Sequence, residues 1–239
     1  MPAFTAAQKE HLQEQGFLLI EDAIQGDTLH RLQTTFDHWS PQFKEEWLEQ
    51  IASGDTCPTW FDIPDPLFKD EIFVDLTDHP SYFDLIDHCY NGRSCFAGMS
   101  ARAVPPWPLS YTGWHPDQLH SDALHLKVQV YIDDVPAQCG EFGYVPGSHK
   151  IDQATYYRSI RNDLMPDHIT FPGKAGTAIL FNSCGLHTAM DNSTRQARKS
   201  VIMGYYRRPP GAAASSKHTA LAHLCTTPQR RSLFELEAA

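Results

Sequence analysis

Residues 125–132, HLKVQVYI, decide the fold, because they carry the clearest strand pattern in the chain. Four apolar side chains alternate with three others: Leu126, Val128, Val130 and Ile132 against Lys127, Gln129 and Tyr131. Alternation at a period of two places the two sets on opposite faces of a β-strand. We therefore expect one face to meet a hydrophobic core, and the other to meet either solvent or a polar cavity.

Further strand-like runs lie on both sides of this stretch, and Gly, Pro and Asn separate them. The runs are CFAGMSARAV (95–104), EFGYV (141–145), HITF (168–171), TAILF (177–181) and SVIMGYY (200–206). Short runs rich in β-branched and aromatic residues, broken by turn residues at such intervals, are typical of an antiparallel sandwich or barrel. The chain is therefore predicted to be mainly β from about residue 95 onward.

The first third of the chain carries helical patterns instead. Thr5 followed by Gln8 is a capping-box pattern, and it predicts a helix that ends at Gly16. The run GFLLIEDAI that begins at Gly16 is predicted to be a short strand. Asp27 is predicted to cap a second helix, TLHRLQTTFDHW, because its apolar residues recur at helical spacing. Residues 41–52 and 79–90 are predicted to be further helices.

These patterns predict a single domain over residues 1–239, in line with its length. Residues 1–94 would form a mostly helical support and residues 95–208 the β core. Residues 209–239, which begin with the linker-like PPGAAASS, would form a weakly specified C-terminal tail.

Composition excludes several classes of partner. The formal charge is −10 without a run of Lys or Arg, which disfavours nucleic acid and acidic membrane surfaces. No apolar run is long enough to span a membrane, and no signal peptide is evident. The six cysteines form no CxxC pair, which favours reduced thiols and a cytoplasmic location. A small-molecule partner is expected, and the oligomeric state stays open, with a homodimer among the alternatives.

The stretch GWHPDQLHSDALH, residues 113–125, contains the triplet His-x-Asp twice, at His115/Asp117 and at His120/Asp122. For this composition about one such triplet is expected by chance, so a triplet alone means little. On extended backbone, however, residues two apart share a face and can reach one ion. Two histidines and one carboxylate form the facial triad of non-haem Fe(II) oxygenases, so a second histidine is required elsewhere.

The later stretch GTAILFNSCGLHTAMDNSTRQARKSVIMGYY, residues 176–206, contains both a second histidine and an arginine. His187 follows a strand and a short turn, and Arg198 lies eleven residues further on. A 2-oxo acid can chelate iron through its keto group and one carboxylate. Its far carboxylate then needs a cationic partner, and the planar fork of Arg suits that role.

These motifs together resemble one family. The segments WHPD, LKVQVYIDDV, CGEFGYVPGSHK and AGTAILFNSCGLHTAMDNSTRQARK are similar to the phytanoyl-CoA dioxygenase family of Fe(II)/2-oxoglutarate oxygenases. The resemblance runs from the start of the chain to about Arg208. It implies a double-stranded β-helix, a cupin-like jelly roll, with N-terminal helices packed against it. It also implies Fe(II) as cofactor, with 2-oxoglutarate and O₂ as co-substrates.

Carried over residue by residue, the resemblance makes His115, Asp117 and His187 the iron ligands. Arg198 becomes the anchor of the 2-oxoglutarate C5 carboxylate, and Gln129 falls near the co-substrate. His115 also fits the family better than His120, because His115 follows a Trp and lies twelve residues before Lys127, whereas His120 lies only seven before it. The alternative triplet, His120/Asp122, stays open at this point.

The chain also departs from the family pattern. The position two after the distal histidine is often a Ser that helps to bind the co-substrate carboxylate, and here it is Ala189. The VPGSH loop, in contrast, is specific to the family. We interpret it as a turn whose Pro146 and Gly147 set the backbone geometry rather than as a binding element.

The resemblance predicts a dioxygenase that oxidises, and most simply hydroxylates, a small-molecule metabolite of secondary metabolism, with release of succinate and CO₂. Asp117 favours hydroxylation over halogenation, because halogenating relatives lack this carboxylate. Two alternatives are a non-catalytic binding protein with the same jelly roll and a zinc-dependent hydrolase, although Arg198 has no role in hydrolysis. An apolar or amphipathic substrate is expected, because aromatic residues of the helical third offer pocket walls: Trp47, Trp60, Phe61, Phe68 and Phe73.

Overall fold

A computed structural model describes residues 4–106, 113–118, 124–151 and 164–238. Its larger sheet has six antiparallel strands in the order β1-β7-β4-β9-β3-β2. These strands are β1 (Phe17–Ile20), β2 (Phe61–Ile63), β3 (Ser94–Val104), β4 (Leu126–Tyr131), β7 (Ala178–Asn182) and β9 (Arg198–Arg207). Its smaller sheet has three antiparallel strands in the order β6-β5-β8, which are β5 (Phe142–Tyr144), β6 (Ile169–Phe171) and β8 (His187–Ala189).

The two sheets pack against each other through an aromatic layer. Phe142 of the smaller sheet lies 4.6 Å from Phe181 of the larger one, measured between ring centroids. Phe17 and Phe171 make a second such contact at 4.9 Å. This two-sheet antiparallel architecture agrees with the predicted mainly-β, cupin-like fold.

Helices cover the opposite face of the larger sheet. They are α1 (Ala6–Gln15), α2 (Gly26–Ser53), α3 (Glu71–Leu76), α4 (Phe83–Cys89) and α5 (Pro228–Leu233). Leu32 and Phe36 of α2 join Val128 and Leu180 of the sheet in the main hydrophobic core. None of the described helices combines the length and the apolar character needed to cross a membrane.

The capping box predicted at Thr5 is present. The Thr5 hydroxyl accepts a hydrogen bond from the Gln8 backbone N–H, and the Gln8 side chain accepts one from the Thr5 N–H. The helix ends at Gly16, whose φ of 87° lies in the left-handed region. A β-carbon at Gly16 would also collide with His149 and Tyr144, so a close approach and the backbone angle both require glycine there.

Three helix predictions need correction. Asp27 does not cap α2, because the helix begins at Gly26, two residues before the predicted start at Thr28. Asp27 lies in the first turn, where its negative charge interacts favourably with the helix dipole. Residues 28–39 and 41–52 form one continuous helix through Pro41, because burial of its apolar stripe outweighs the lost backbone hydrogen bond. The helix predicted at 79–90 begins only at Phe83.

Within the predicted C-terminal tail, much of the segment after residue 213 packs onto the domain. Leu221, Leu233 and Phe234 are at most 1% exposed and belong to the main core. The Arg230 guanidinium bonds Asp78 at 2.6 Å and Asp75 at 3.1 Å, which ties α5 to the end of α3. The small residues and prolines that precede this segment have no periodic pattern, so these contacts could not be predicted from the sequence.

The alternation in β4 separates two environments. Leu126, Val128 and Val130 lie in the core beneath the helices. Lys127 and Gln129 lie on the opposite face and line a cavity between the sheets. Of the two environments open for this face, solvent or a polar cavity, the structure shows the cavity.

Candidate metal centre

Three side chains converge at one end of the cavity. One potential ligand atom from each of His115, Asp117 and His187 lies within 4.8 Å of the others. The His115 and His187 rings are 4.5 Å apart between centroids. The His187 Nε2 atom lies 3.5 Å from Asp117 Oδ2. Two imidazoles and one carboxylate in such proximity could hold a divalent transition metal.

Backbone hydrogen bonds bring the His-x-Asp triplet to β8. The backbone N–H of His115 donates to the carbonyl of His187, and the N–H of His187 donates to the carbonyl of His115, both at 3.1 Å. The Asp117 N–H donates to the Ser183 carbonyl at 2.8 Å. The triplet is therefore held by an isolated β-bridge rather than by a full strand. This bridge gives His115 the extended backbone that the His-x-Asp motif was expected to need.

A repeated Gly-x-His pattern orients both imidazoles. His115 Nδ1 lies 2.9 Å from the carbonyl oxygen of Gly113, and His187 Nδ1 lies 2.9 Å from that of Gly185. A carbonyl can only accept, so each Nδ1 carries the proton and each Nε2 keeps a lone pair for a metal. These two hydrogen bonds were not predicted from the sequence, although the repeated motifs GWH and GLH could have indicated them. Gly185 is also required sterically, since a β-carbon there would overlap the Tyr144 hydroxyl.

The electrostatic environment prepares these groups for a cation. His187 packs 5.0 Å from the Phe181 ring, and its burial lowers the pKa of the imidazole well below the usual value. Burial would raise the pKa of Asp117, but the cationic Lys127, which lies 2.7 Å from Oδ2, outweighs the effect of burial, and the pKa of Asp117 is lowered. A neutral imidazole and a carboxylate are the protonation states that metal binding requires.

Arg198 occupies the same cavity, which has a volume of about 200 Å³. Arg198 is only 2% exposed, and its Nε has no hydrogen-bond partner within the described part of the chain. Among the described residues no carboxylate lies within ion-pair distance of it. Burial lowers the pKa of Arg198 to about 10, so it remains a cation at neutral pH. A buried cation without a counter-ion is costly unless an anion binds it, so this position fits a carboxylate ligand.

Three other residues shape the surroundings of Arg198. The Gln129 side chain lines the cavity, and its Nε2 has no hydrogen-bond partner among the residues that the structure describes, so a donor is available for a ligand. Ala189 also lines the cavity, at the position where the family often has Ser. Glu141, 5% exposed, is a buried carboxylate near the guanidinium, but it forms no ion pair with Arg198.

The remaining predictions are placed as follows. His120 and Asp122 lie outside the described residues. His125 bonds the Ser183 hydroxyl at 2.6 Å and is not among the described residues that line the cavity. The VPGSH turn has the expected structural contacts: Gly147 adopts a φ of 75°, and the Ser148 hydroxyl accepts from the Leu186 N–H. Among the five aromatic residues predicted as pocket walls, Trp60 lines the cavity, whereas Phe73 belongs to the main core and Phe68 is 58% exposed.

A family model described as phytanoyl-CoA dioxygenase matches residues 12–200. The chain therefore belongs to this family, as the motifs predicted. The family uses Fe(II), 2-oxoglutarate and O₂, and the chain is accordingly an Fe(II)/2-oxoglutarate-dependent enzyme. A comparison with curated proteins finds no significant match.

Solved structures with the same fold include enzymes of antibiotic biosynthesis. The epimerase SnoN from nogalamycin biosynthesis, in complex with Fe³⁺, α-ketoglutarate and nogalamycin RO, is 17% identical with a TM-score of 0.61, over 93% of this chain and 89% of that one. HygX from Streptomyces hygroscopicus, with nickel and 2-oxoglutarate bound, is 17% identical with a TM-score of 0.65, over 87% and 89%. The carbocyclase SnoK from nogalamycin biosynthesis is 17% identical with a TM-score of 0.59, over 92% and 90%. At this identity the likeness shows the fold alone.

Proposed function

We propose that the protein is a dioxygenase that hydroxylates a small-molecule metabolite, with His115, Asp117 and His187 as the Fe(II) ligands. Arg198 binds the C5 carboxylate of 2-oxoglutarate in this proposal, and Gln129 contacts the same co-substrate. The observation that carries the proposal is that one cavity contains a two-histidine, one-carboxylate cluster and a buried arginine that has no ion-pair partner among the described residues. That combination matches a metal-chelating dicarboxylate better than either part would alone.

The chain's own residues perform the binding and orienting steps. Gly113 and Gly185 fix the imidazole tautomers, so that both Nε2 atoms are available to the metal. Lys127 holds the Asp117 carboxylate in place and keeps it ionised. Arg198 orients the co-substrate from the far end of the cavity, because its rigid fork fixes the direction of a carboxylate. The aromatic rings of Phe142 and Phe181 pack around His187 and limit the access of water.

Iron with 2-oxoglutarate and O₂ supplies an oxidant strong enough for an unactivated C–H bond, with succinate and CO₂ as co-products. Asp117 occupies the position that halogenating relatives leave open, which favours transfer of oxygen over transfer of halide. The structural neighbours SnoN and SnoK are described as an epimerase and a carbocyclase. Gain of one oxygen atom in the product, measured by mass spectrometry, therefore separates hydroxylation from these other outcomes.

The test is the anaerobic addition of Fe(II) and 2-oxoglutarate to the purified protein. We expect a visible charge-transfer band from the metal chelate, saturating with one equivalent of each component. The band should vanish in His187→Ala and persist in the matched control His223→Ala, which changes an exposed histidine near the C-terminus. A folded protein without the band would contradict the proposal. A protein with the band but without succinate release across a metabolite panel would instead support a non-catalytic binding role.

A further inference from the structure

A second arginine, Arg102 of β3, lines the same cavity as Arg198, but the two differ in their surroundings. Arg102 donates from Nε to Asp62 Oδ1 and from Nη2 to Asp62 Oδ2, both at 2.8 Å. Asp62 lies on β2, directly opposite Arg102 in the strand register. This bidentate pair compensates the charge of Arg102 and fixes the plane of its guanidinium.

The Trp60 ring packs against the same guanidinium. The Arg102 Cζ atom lies 4.4 Å from the Trp60 ring centroid, which is within the range of a cation–π contact. The Arg102 side chain remains 22% exposed. Within the part of the chain that the structure describes, its Nη1 edge has no hydrogen-bond partner. Arg102 is therefore a rigid donor in the cavity wall, next to an aromatic face.

The difference between the two arginines determines what each can bind. Arg198 has no ion pair among the described residues and fits an anion. Arg102 already has a carboxylate, so a second carboxylate at its free edge would be repelled by Asp62. A neutral oxygen acceptor, such as a hydroxyl or a carbonyl, meets no such repulsion and still accepts a hydrogen bond.

Trp60 lines not only this cavity but also a separate groove of about 290 Å³. Trp60 and Asp62 line this groove together with three polar residues: Glu46, Gln50 and Thr56. Trp47 adds a second aromatic wall. Aromatic faces interleaved with hydrogen-bonding side chains suit a ring that carries several oxygen substituents.

We propose that Trp60 and Arg102, held by Asp62, form the subsite for the primary substrate, and that the substrate is an uncharged ring compound with hydroxyl or carbonyl oxygens. The ring packs on Trp60, and one oxygen accepts from Arg102. This subsite rests on the proposed function, since it lies beside the proposed co-substrate site. It narrows the expected apolar or amphipathic substrate to an oxygenated, neutral one.

The test uses two probes of nearly equal shape, neutral benzamide and anionic benzoate. The protein is loaded with Mn(II) and saturated with 2-oxoglutarate, and the proton relaxation enhancement of each probe reports binding near the metal. We expect the wild-type protein to prefer benzamide. Arg102→Leu should weaken benzamide about three- to tenfold, the loss of one hydrogen bond. Arg207→Leu, a change at an exposed arginine, should leave both probes unaffected.

Asp62→Asn provides the decisive variant, because it frees the charge of Arg102 without removing the side chain. We expect the apparent affinity for benzoate to rise about tenfold, while benzamide changes little. Failure of wild type to bind benzamide, equal binding by Arg102→Leu, or no gain for benzoate in Asp62→Asn would each overturn the subsite. Failure of 2-oxoglutarate itself to bind the Mn(II) protein would instead contradict the proposed function, so the two failures are distinguishable.

Discussion

The two faces of the six-stranded sheet show how one strand can serve both stability and chemistry. Toward the helices, Val128 and Leu180 are fully buried among apolar side chains. Toward the cavity, β4 instead presents Lys127 and Gln129, and the Nε2 of Gln129 has no hydrogen-bond partner among the described residues. Burying unpaired polar groups costs free energy, so the apolar face must offset what the cavity face loses. Substitutions on the apolar face should therefore lower stability and leave ligand binding unchanged. Substitutions on the cavity face should weaken ligand binding and leave stability unchanged.

The largest effect is expected from Asp117→Ala on the cavity face. Loss of a charged ligand should remove detectable Fe(II) binding and all coupled turnover, while the thermal unfolding temperature stays close to that of the apo wild type. Metal titration followed by the chelate band measures this. Asp122→Ala is the matched control from the second His-x-Asp triplet and should keep the band. The reverse pattern would move the ligand assignment to His120 and Asp122 while leaving the enzyme class intact.

Leu180→Ala tests the apolar face. Leu180 is fully buried on β7 between β1 and β4, so its truncation should lower the free energy of unfolding by about 2–5 kcal/mol. Denaturant unfolding measures the loss. The 2-oxoglutarate affinity of the molecules that remain folded should not change. A substantial loss of that affinity would show that the two faces are not energetically separate.

Arg198→Ala should have the reverse effect of Leu180→Ala: it should weaken 2-oxoglutarate binding without lowering stability. Loss of an ionic hydrogen-bond partner, about 1.5–3 kcal/mol, weakens 2-oxoglutarate binding roughly ten- to hundredfold. Metal affinity without co-substrate should be unchanged. The apo protein should be no less stable, because a buried charge without an ion-pair partner has been removed. Calorimetric titration and thermal unfolding give both values, and Arg198→Lys should fall between wild type and Ala in affinity.

Gln129→Leu should produce a smaller version of the same pattern. Its Nε2 is buried and unpartnered, so an apolar replacement of similar size should leave the stability of the apo protein equal or higher. A neutral hydrogen bond to the co-substrate would be lost, about 0.5–1.5 kcal/mol, or up to roughly tenfold in affinity. Unchanged 2-oxoglutarate binding would remove Gln129 from the proposed site.

The smallest effect concerns pH and a group on the helical side. Burial lowers the pKa of His79 below the usual 6.5, although Asp78 and Asp75 oppose the shift. Because the folded-state pKa is depressed, the stability contribution is present above about pH 6.5 and is lost as pH falls through the folded pKa. Unfolding temperatures between pH 5 and 8 should therefore fall less steeply toward acid in His79→Gln than in wild type. An unchanged slope would contradict a half-buried, neutral His79.

Strong local patterns made part of this molecule predictable. The β4 alternation identified the strand and its two faces, and the Thr5–Gln8 pattern identified α1, because both signals depend on neighbouring residues. The three-residue strands β2 and β8 were missed, since each depends on a partner strand distant in sequence. The continuation of α2 through Pro41 was missed because tertiary packing overrides the local penalty.

The candidate site was likewise only partly predictable from the sequence. His115, Asp117, His187 and Arg198 could be selected from motif spacing, and the structure brings them to one cavity. The pairing of Arg102 with Asp62 could not be selected, because it joins residues 40 positions apart through the register of β2 and β3. Motif spacing and the family resemblance therefore selected the candidate ligands, while the residues that would surround a substrate depend on tertiary structure.

The pairing of β1 with β7 has a consequence for how the chain folds. Leu18 of β1 pairs with Leu180 of β7 in the strand register. A strand near the start of the chain therefore joins the sheet only through residues much later in the sequence. Such non-local contacts impose a large loop-closure entropy before they contribute stability, and domains rich in them fold in milliseconds to seconds. During synthesis, β1 must wait for more than half of the chain to emerge. The proposed iron site, which lies beside β7 and β8, is therefore expected to form late in folding.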